Sequence, residues 1–482
     1  MKRNRNGAVD ARTPPDAGST GRRALVRAGS ALLAAAVLAA PAFAQDAAPQ
    51  PGTPRDFRLP DPAELTLDNG LRVTMVPYGN VPKVDVQLVV RTGNVDEGPD
   101  EVWLADVMGD LMEEGTTTRD ANAVAEAAAS MGGSVSVGIG SDQTFVSGTA
   151  LSEFGPEMVR LVADVARNPA FPEDELERLK ADRVRSVSIA KSQPQSLALE
   201  RFRAVLYPDH PYGRVFPTED MIRGYTIDQV REFYGRNFGA ARSRLFVVGR
   251  FDAAAIEAAV REAFQGWPAG TEASPPPAEA AGGRAVHFVD NPGAVQSTLY
   301  VGLPVVDPSH PDFVALQVTN SLLGGSFGSR ITSNIREDKG YTYSPFSTLS
   351  SRPGDAYWAE VADVTTDVTG AALREIFYEI DRLRSEPPSE AELEAIQNYM
   401  AGTFVLQNSS RGGIINQLNF VELHGVGEDY LRDYVERVHA VTPADVQRIA
   451  RDYLDPREMA IVVVGDRAQV LEQLAEFGEL VE

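Results

Sequence analysis

The feature that most constrains the fold of this chain is an internal repeat with an offset of about 216 residues. Three pairs of segments carry it: Pro172-Glu-Asp-Glu-Leu-Glu with Pro388-Ser-Glu-Ala-Glu-Leu-Glu, Thr226-Ile-Asp-Gln-Val with Thr442-Pro-Ala-Asp-Val, and Phe246-Val-Val-Gly with Val462-Val-Val-Gly. Self-similarity at a fixed offset indicates a repeated structural unit. The sequence therefore predicts two homologous domains in tandem.

Each half mixes strand and helix patterns. In the first half, residues 84–91 alternate like a strand, 121–131 have helical periodicity, and 134–148 again alternate. We expect a first domain at 59–266 and a second at 285–482. A linker rich in Pro, Ala and Gly joins them at 267–284, and an extended leader precedes them at 45–58.

The first 44 residues have the pattern of an export signal. Arg22, Arg23 and Arg27 precede an apolar run from Ala31 to Ala40, and Ala42-Phe43-Ala44 supplies a cleavage site of small residues. The run is too short for a membrane span, so no stable anchor is expected. We expect a mature chain that begins near residue 45 and enters the periplasm, with secretion as the lesser alternative. The Sec and twin-arginine routes both remain open.

Charge and cysteine content exclude several classes of function. The full chain has a net charge of −23 and no cysteine. A strongly acidic chain repels phosphate backbones, so nucleic acid is not expected as a partner. The absence of cysteine excludes disulfides, thiolate metal sites and cysteine catalysis.

Residues 101–114 are predicted to form a helix with an apolar stripe and an acidic face. Asp106 and Asp110 lie four residues apart on that face, and Gly109 stands between them. Paired carboxylates suit a hard cation such as Ca²⁺ or Mg²⁺, but these ions take about six oxygen ligands. A solvated helix face is the favoured interpretation, and glycine in a helix interior costs about 1 kcal/mol relative to alanine.

A second candidate stretch is Gly324 to Ser350, which reads GGSFGSRITSNIREDKGYTYSPFSTLS. The pattern predicts a short helical run that carries Arg336 on its last turn, an end at Gly340, and a strand over 341–345. From this pattern alone, the favoured interpretation is that Arg336 is a cation stabilised at a helix C-terminus and that Tyr343 is a half-buried strand aromatic. The alternative is that both side chains point into one cleft.

The segment GGSFGSRITSNIREDKGYTYS resembles the C-terminal domain of the pitrilysin/insulysin peptidases and of the mitochondrial processing peptidases. The resemblance runs from about Leu59 to the C-terminus. It implies an α+β fold of two tandem domains, each an antiparallel sheet with helices packed on it, that close like a clam shell. It also implies that Arg336 and Tyr343 hold the scissile carbonyl and the developing oxyanion.

The same resemblance places the family's zinc motif, H-x-x-E-H, on the helix at 101–114. Asp106 and Asp110 stand where the family has histidines, Gly109 stands at the general base, and the third ligand position is expected at Ser186. The five histidines of the chain begin only at His210, so the motif occurs nowhere. We therefore expect no metal and no cofactor in this chain, with zinc in a partner subunit.

These departures imply a non-catalytic subunit of a heterodimeric periplasmic zinc peptidase. Its expected partners are a subunit that bears H-x-x-E-H and extended peptide substrates. A peptide-binding or scaffold protein of the same fold, with no part in proteolysis, is the alternative. An independent peptidase that uses Asp106 and Asp110 is disfavoured, because the ligand set is incomplete.

Overall fold

A computed structural model describes residues 62–427 and 429–481 of the chain. The predicted signal at 1–44 and the leader at 45–58 lie outside the described residues. Within the described ranges, no helix combines the length and the apolar character needed to cross a bilayer.

The first half forms a six-stranded sheet in the order β1-β2-β6-β3-β5-β4. Its strands are β1 Ala63–Thr66, β2 Arg72–Pro77, β3 Lys83–Val90, β4 Ser134–Ile139, β5 Thr144–Leu151 and β6 Ser243–Gly249. Its helices are α1 Leu104–Glu113, α2 Ala121–Ser130, α3 Gly155–Arg167, α4 Glu173–Lys191, α5 Pro194–Leu206, α6 Glu219–Gly224, α7 Ile227–Asn237 and α8 Ala253–Phe264.

The second half forms a matching sheet in the order β12-β7-β11-β8-β10-β9. Its strands are β7 Val286–Asp290, β8 Gln296–Val305, β9 Phe346–Arg352, β10 Asp355–Thr365, β11 Ala460–Gly465 and β12 Leu480–Val481. Its helices are α9 Phe313–Asn320, α10 Arg330–Thr332, α11 Thr369–Ser385, α12 Glu390–Gln407, α13 Arg411–His424, α14 Asp429–Arg432, α15 Tyr434–Ala440, α16 Pro443–Tyr453 and α17 Arg467–Leu474. Two π-helical turns, Ser321–Gly325 and Ser333–Asp338, flank α10.

The predicted fold class is confirmed, with one correction to the sheets. β2 pairs with β6 in parallel, and β7 pairs in parallel with both β11 and β12, so each sheet is mixed rather than wholly antiparallel. Late strands return beside early ones after helical segments, β6 beside β2 in the first half and β11 and β12 beside β7 in the second, which allows parallel pairing.

Helix capping explains one of the sequence matches between the halves. Thr226 caps α7 and Thr442 caps α16, and each forms a reciprocal capping box with the third residue of its helix, Gln229 and Asp445. Such a box satisfies two backbone N–H groups that the first helical turn leaves without partners. The repeated Thr-x-x-Gln/Asp pattern thus marks the same helix start twice.

One helix of each half packs on the sheet of the other half. α5 of the first half lays Ala198, Phe202 and Leu206 on the second sheet, against residues such as Tyr357 and Val462. α13 of the second half reciprocates: Ile414, Ile415 and Leu418 pack on Val76, Val89, Phe246 and Val248 of the first sheet. Neither sheet is covered on both faces by its own half alone, so the two halves depend on each other for burial.

Polar contacts fix the register of α13 on the first half. Gln143 and Asn419 exchange side-chain hydrogen bonds of 3.0 and 2.7 Å, each amide nitrogen donating to the other amide oxygen. Arg244 donates to Glu422 at 2.7 Å. A pair of amides that satisfy each other specifies one alignment, because a slip by one residue would leave partly buried polar groups without partners.

The predicted linker requires a correction at its start. Trp267 is buried in the core of the first half, and its carbonyl accepts a hydrogen bond from Asn69. The segment beyond it is irregular and bonds to both halves. Ala281 N donates to Leu206 O at 2.7 Å, and Gly283 N donates to Glu458 O at 3.1 Å.

The helix exchange predicts a large effect for Phe202→Ala. Phe202 is fully buried, its ring centre lies 5.4 Å from those of Tyr300 and Tyr357, and a Cβ on Gly302 would come 2.7 Å from its Cζ. We expect the free energy of unfolding in urea to fall by about 3–5 kcal/mol. Tyr378→Ala, at an exposed tyrosine of α11, is the control and should change it by less than about 0.5 kcal/mol. A loss below about 1 kcal/mol for Phe202→Ala would contradict the role of α5.

Candidate functional site

Helix α1 carries the first candidate site, and it begins three residues later than the sequence predicted. Trp103 precedes the helix with a left-handed backbone, φ +66°, and the buried Glu97 carboxylate accepts hydrogen bonds from Trp103 N at 3.1 Å and Ala105 N at 2.9 Å. The Glu97 side chain therefore acts as an N-cap although it lies outside the helix, because it accepts hydrogen bonds from backbone N–H groups at the helix start. Sequence spacing gave no sign of this, because Glu97 acts across a turn.

Asp106 and Asp110 lie on one face of α1, as predicted, but an arginine of α4 lies between them. Arg183 donates two hydrogen bonds to Asp110, from Nε to Oδ2 at 2.6 Å and from Nη2 to Oδ1 at 2.7 Å. Its Nη1 donates to Asp106 Oδ1 at 3.2 Å, and Asn94 Nδ2 donates to Asp106 Oδ2 at 2.8 Å. All four carboxylate oxygens are thus engaged by donors. We call Asp106, Asp110 and Arg183 the arginine cluster.

The arginine cluster does not fit a metal ion. A guanidinium already supplies the positive charge between the two carboxylates, and a cation would have to displace two short charge-assisted hydrogen bonds. Glu113 accepts from the backbone N of Val137 at 2.8 Å, and Glu114 pairs with Arg178, so neither adds a ligand. Among the described residues, no group of three or more His, Cys, Asp or Glu side chains is arranged to hold a metal ion.

The structure does not bring Ser186 to this site. Ser186 is exposed, and its hydroxyl donates to the carbonyl of Asp182 at 3.0 Å. Arg183, almost one turn earlier on α4, is the residue that faces the aspartates. The sequence analysis did not single out Arg183 because it sought a third metal ligand. The arginine instead neutralises the two aspartates without any metal.

Gly109 has a packing reason that the sequence analysis lacked. A Cβ at this position would lie 2.7 Å from Cγ1 and 2.9 Å from Cδ1 of Ile139 on β4. The glycine lets α1 approach the edge strand of the sheet closely. Its helix-propensity cost is therefore offset by contact between α1 and β4.

Burial raises the pKa of Asp106 above its usual range, and Arg183 opposes that shift as the next largest influence. The carboxyl is sensitive to its cation because it is half-buried, where Coulomb interactions are stronger than in water. Arg183 also lies with its Cζ 5.8 Å from the centre of the Trp103 ring. The aromatic face adds a modest cation–π attraction that helps to hold the guanidinium in place.

The second candidate site is Arg336 with Tyr343, and the structure brings them together. The Cζ of Arg336 lies 5.1 Å from the centre of the Tyr343 ring and 4.4 Å from the centre of the Phe327 ring. Tyr343 is 79% exposed and Phe327 is 72% exposed. The guanidinium thus contacts two aromatic rings at the surface. Phe327 was not singled out in the sequence, although it stands two residues after the glycine pair.

The strand predicted over 341–345 was wrong. Gly340 has φ +66°, and Gly340 N and Tyr341 N donate to the carbonyls of Arg336 and Ile335, which closes the helical turn. Only Thr342 forms an isolated bridge, to Val364, before β9 begins at Phe346. The backbone donors at 340 and 341 are used by the helix end, so alternation in this stretch does not produce a strand.

Comparison with known proteins identifies the family to which this architecture belongs. The family model described as "Insulinase (Peptidase family M16)" matches residues 73–216, and the one described as "Peptidase M16 inactive domain" matches 224–400. Together they cover about two-thirds of the chain. The chain belongs to the insulinase family, peptidase family M16.

Relatives of this M16 chain match along most of their length. It is 23% identical to an uncharacterised zinc protease of Streptomyces coelicolor, over 83% of this chain and 88% of that one. It is 26% identical to an uncharacterised zinc protease of Rickettsia bellii, over 68% and 79%.

Two solved structures share the fold. The peptidase M16 inactive domain from Pseudomonas fluorescens superposes with a TM-score of 0.77 at 23% identity, over 84% of this chain and 98% of that one. A protease from Helicobacter pylori superposes with a TM-score of 0.78 at 20% identity, over 85% and 100%. At these identities the likeness carries the fold and nothing further.

The arginine cluster predicts that Arg183→Met destabilises the chain. The variant keeps an apolar stem but leaves two half-buried aspartates facing each other, so the free energy of unfolding at pH 7 should fall by about 2–4 kcal/mol. Without the guanidinium the folded-state pKa of Asp106 rises further above its unfolded value. A carboxyl whose pKa is raised in the folded state contributes stability at low pH, and that contribution is lost as pH rises. The destabilisation caused by Arg183→Met should therefore be larger at pH 8 than at pH 5.

Two further variants make this measurement decisive. Arg185→Met, at an exposed arginine two residues along α4, should shift stability by less than about 0.5 kcal/mol. The triple change Asp106→Asn, Asp110→Asn and Arg183→Met should recover most of the loss, because it removes the two charges with their cation. Wild-type stability of Arg183→Met at pH 8 would show that the cluster is unimportant.

Proposed function

We propose that this M16 chain is the non-catalytic subunit of a heterodimeric periplasmic zinc peptidase. The observation that carries the proposal is the contrast between its two candidate sites. The helix that would hold zinc is occupied by the arginine cluster, whereas Arg336 and Tyr343 remain together at the surface. A chain of this kind supports hydrolysis at a partner's metal without binding one.

Arg336 and Tyr343 suit a role in stabilising an oxyanion. A guanidinium and a phenol both donate hydrogen bonds, and donors aimed at a developing negative charge are worth more in the transition state than in the ground state. Phe327 and Tyr343 restrict the guanidinium from two sides. A positioned donor loses less entropy when the charge develops than a free arginine does.

The exposure of the aromatic rings favours a partner or substrate at this surface. Phe327 and Tyr343 are large apolar side chains with most of their surface in solvent. Large exposed rings that lie beside each other often mark an interaction site. An extended peptide held between this surface and a subunit bearing H-x-x-E-H would cover both rings and face Arg336.

A periplasmic location and an H-x-x-E-H partner belong to the same proposal. The location is supported by the signal-like pattern at 1–44, and the acidic composition suits a soluble exported chain. The partner belongs to the proposal because the described residues include no group of three or more His, Cys, Asp or Glu side chains that could hold the metal. The relatives are named as zinc proteases. The replacements at Asp106, Gly109 and Asp110 argue that this chain by itself has no protease activity.

The second candidate is a peptide-binding or scaffold protein of the same fold. One observation favours the scaffold form over the peptide-binding form: Glu113 accepts a hydrogen bond from the backbone N of Val137 on β4, the edge strand next to α1. A side chain that caps an edge strand competes with any peptide that would pair there. A scaffold needs no oxyanion donors, so substitution of Arg336 separates the two candidates.

The first test is the metal content of the purified mature chain. We expect background zinc by elemental analysis and no peptide hydrolysis from the chain alone. Hydrolysis should appear when an H-x-x-E-H subunit encoded beside it is added. Stoichiometric zinc with activity in the isolated chain would overturn the proposal. Complex formation without any gain in hydrolysis would favour the scaffold.

Arg336→Ala and Tyr343→Phe test the assigned donors in the assembled complex. Removal of an oxyanion donor typically lowers kcat by about 10²–10³-fold, and we expect losses of that order with little change in assembly. Arg374→Ala and Tyr378→Phe are matched controls at exposed positions of α11 and should keep wild-type turnover. Wild-type rates for both Arg336→Ala and Tyr343→Phe would refute the donor role.

A further inference from the structure

The second half contains a cavity of about 530 Å³ between α9, β9, α12 and α13. A cavity of this size accommodates a small ligand. Among the described residues that line it, none is Asp, Glu, Lys, Arg or His. In a chain where 23% of residues are charged, a lining without ionic groups is distinctive. We call it the neutral cavity.

One wall of the neutral cavity is α12, the counterpart in the internal repeat of α4, which carries Arg183. An offset of 217 residues aligns α4 with α12 in sequence and matches two buried pairs, Leu176 with Leu393 and Lys180 with Gln397. The same offset sets Arg183 against Met400, which lines the cavity. The repeat thus presents opposite chemistry at equivalent positions, an ion pair in one half and neutral groups in the other.

Five side-chain amides belong to the polar lining, namely Gln317, Asn320, Gln407, Asn416 and Gln417. Each amide both donates and accepts hydrogen bonds. Hydroxyls from Ser321, Ser347, Thr348 and Thr403 add further groups of the same kind. A ligand matched to this lining is uncharged and rich in groups that donate and accept at once.

Asn320 is oriented toward the cavity by its neighbours. Its Oδ1 accepts from Ser347 Oγ at 2.7 Å and from Trp358 Nε1 at 2.8 Å, which fixes the amide orientation. Its Nδ2 lies toward Gly325, where a Cβ would come within 2.5 Å of that nitrogen. Since Gly325 has no side chain, the Asn320 N–H groups stay open at the cavity wall.

Aromatic rings form the rest of the lining. Phe404 and Tyr434 stack with centres 4.5 Å apart, and Phe420 lies 5.6 Å from Tyr430. Tyr399 stands at the rim and is 52% exposed. Flat apolar faces beside amides and hydroxyls suit a ring with apolar C–H faces and polar edges.

We propose that the neutral cavity binds an uncharged saccharide of one or two pyranose rings. Sugar hydroxyls donate and accept as the amides do, and the C–H faces of a pyranose pack on aromatic rings. Phosphorylated or carboxylated ligands would find no counter-charge in the lining. The cavity borders β9, the edge strand of the second sheet, where a peptide strand would pair through its backbone. Most of the polar lining residues lie on helices instead, and their side chains suit a saccharide. The site requires neither a metal nor a partner subunit, so it is independent of the function proposed above.

The test is calorimetric titration of the mature chain with maltose and with N,N′-diacetylchitobiose, after a screen on an array of neutral mono- and disaccharides. We expect at least one saccharide to bind, with Tyr399→Ala and Gln417→Ala each weakening it by about tenfold or more. Tyr378→Ala removes a similarly exposed tyrosine outside the cavity and should leave affinity unchanged. Thermal unfolding confirms that each variant is folded.

Three outcomes would overturn the proposal. The first is no binding by any neutral saccharide on the array. The second is saccharide binding that Tyr399→Ala and Gln417→Ala leave unchanged, which would place the site elsewhere. The third is binding of a capped neutral peptide such as acetyl-Ala-Gln-Ala-amide, weakened by Tyr399→Ala, with no saccharide bound. That result would assign the cavity to peptides.

Discussion

The reciprocal packing of α5 and α13 is the interaction on which the rest of this structure depends. Each sheet is buried on one side by its own helices and on the other by a helix from the opposite half. Because burial of apolar surface is the main stabilising contribution to folding, neither half is expected to be stable with its exchanged helix withdrawn. The two sites are therefore held on a frame whose halves stabilise each other.

On that frame, the two halves have diverged in the charge of equivalent helices. In the first half, the acids of α1 are neutralised by Arg183, a guanidinium that matches carboxylate geometry and cannot lose its proton at ordinary pH. In the second half, α12 presents Met400, Thr403 and Gln407 to the neutral cavity and no charged side chain. A buried acidic pair requires a cation, and here the protein supplies that cation from its own chain.

The Arg336 surface shows a different use of arginine. There the guanidinium is not tied to a buried acid but contacts two exposed rings, and among the described residues its ion-pair partner is the exposed Glu337. Contact with aromatic rings leaves N–H donors of Arg336 available, whereas Arg183 uses its donors in the bidentate hydrogen bonds to Asp110. The same side chain is structural in the first half and open to a ligand in the second.

The sequence by itself determined the duplication, the fold class and the family, because repeated segments such as Thr226/Thr442 and the GGSFGSR to YTYS stretch are local patterns. It also predicted that Asp106 and Asp110 share a face and that Arg336 meets Tyr343. Only the tertiary structure decided that Arg183 fills the space between the aspartates, that Gly109 serves packing against Ile139, and that Phe327 covers Arg336. Each of these depends on which elements pack together, and periodicity along one chain specifies a face of a helix but not the residue that lies opposite it.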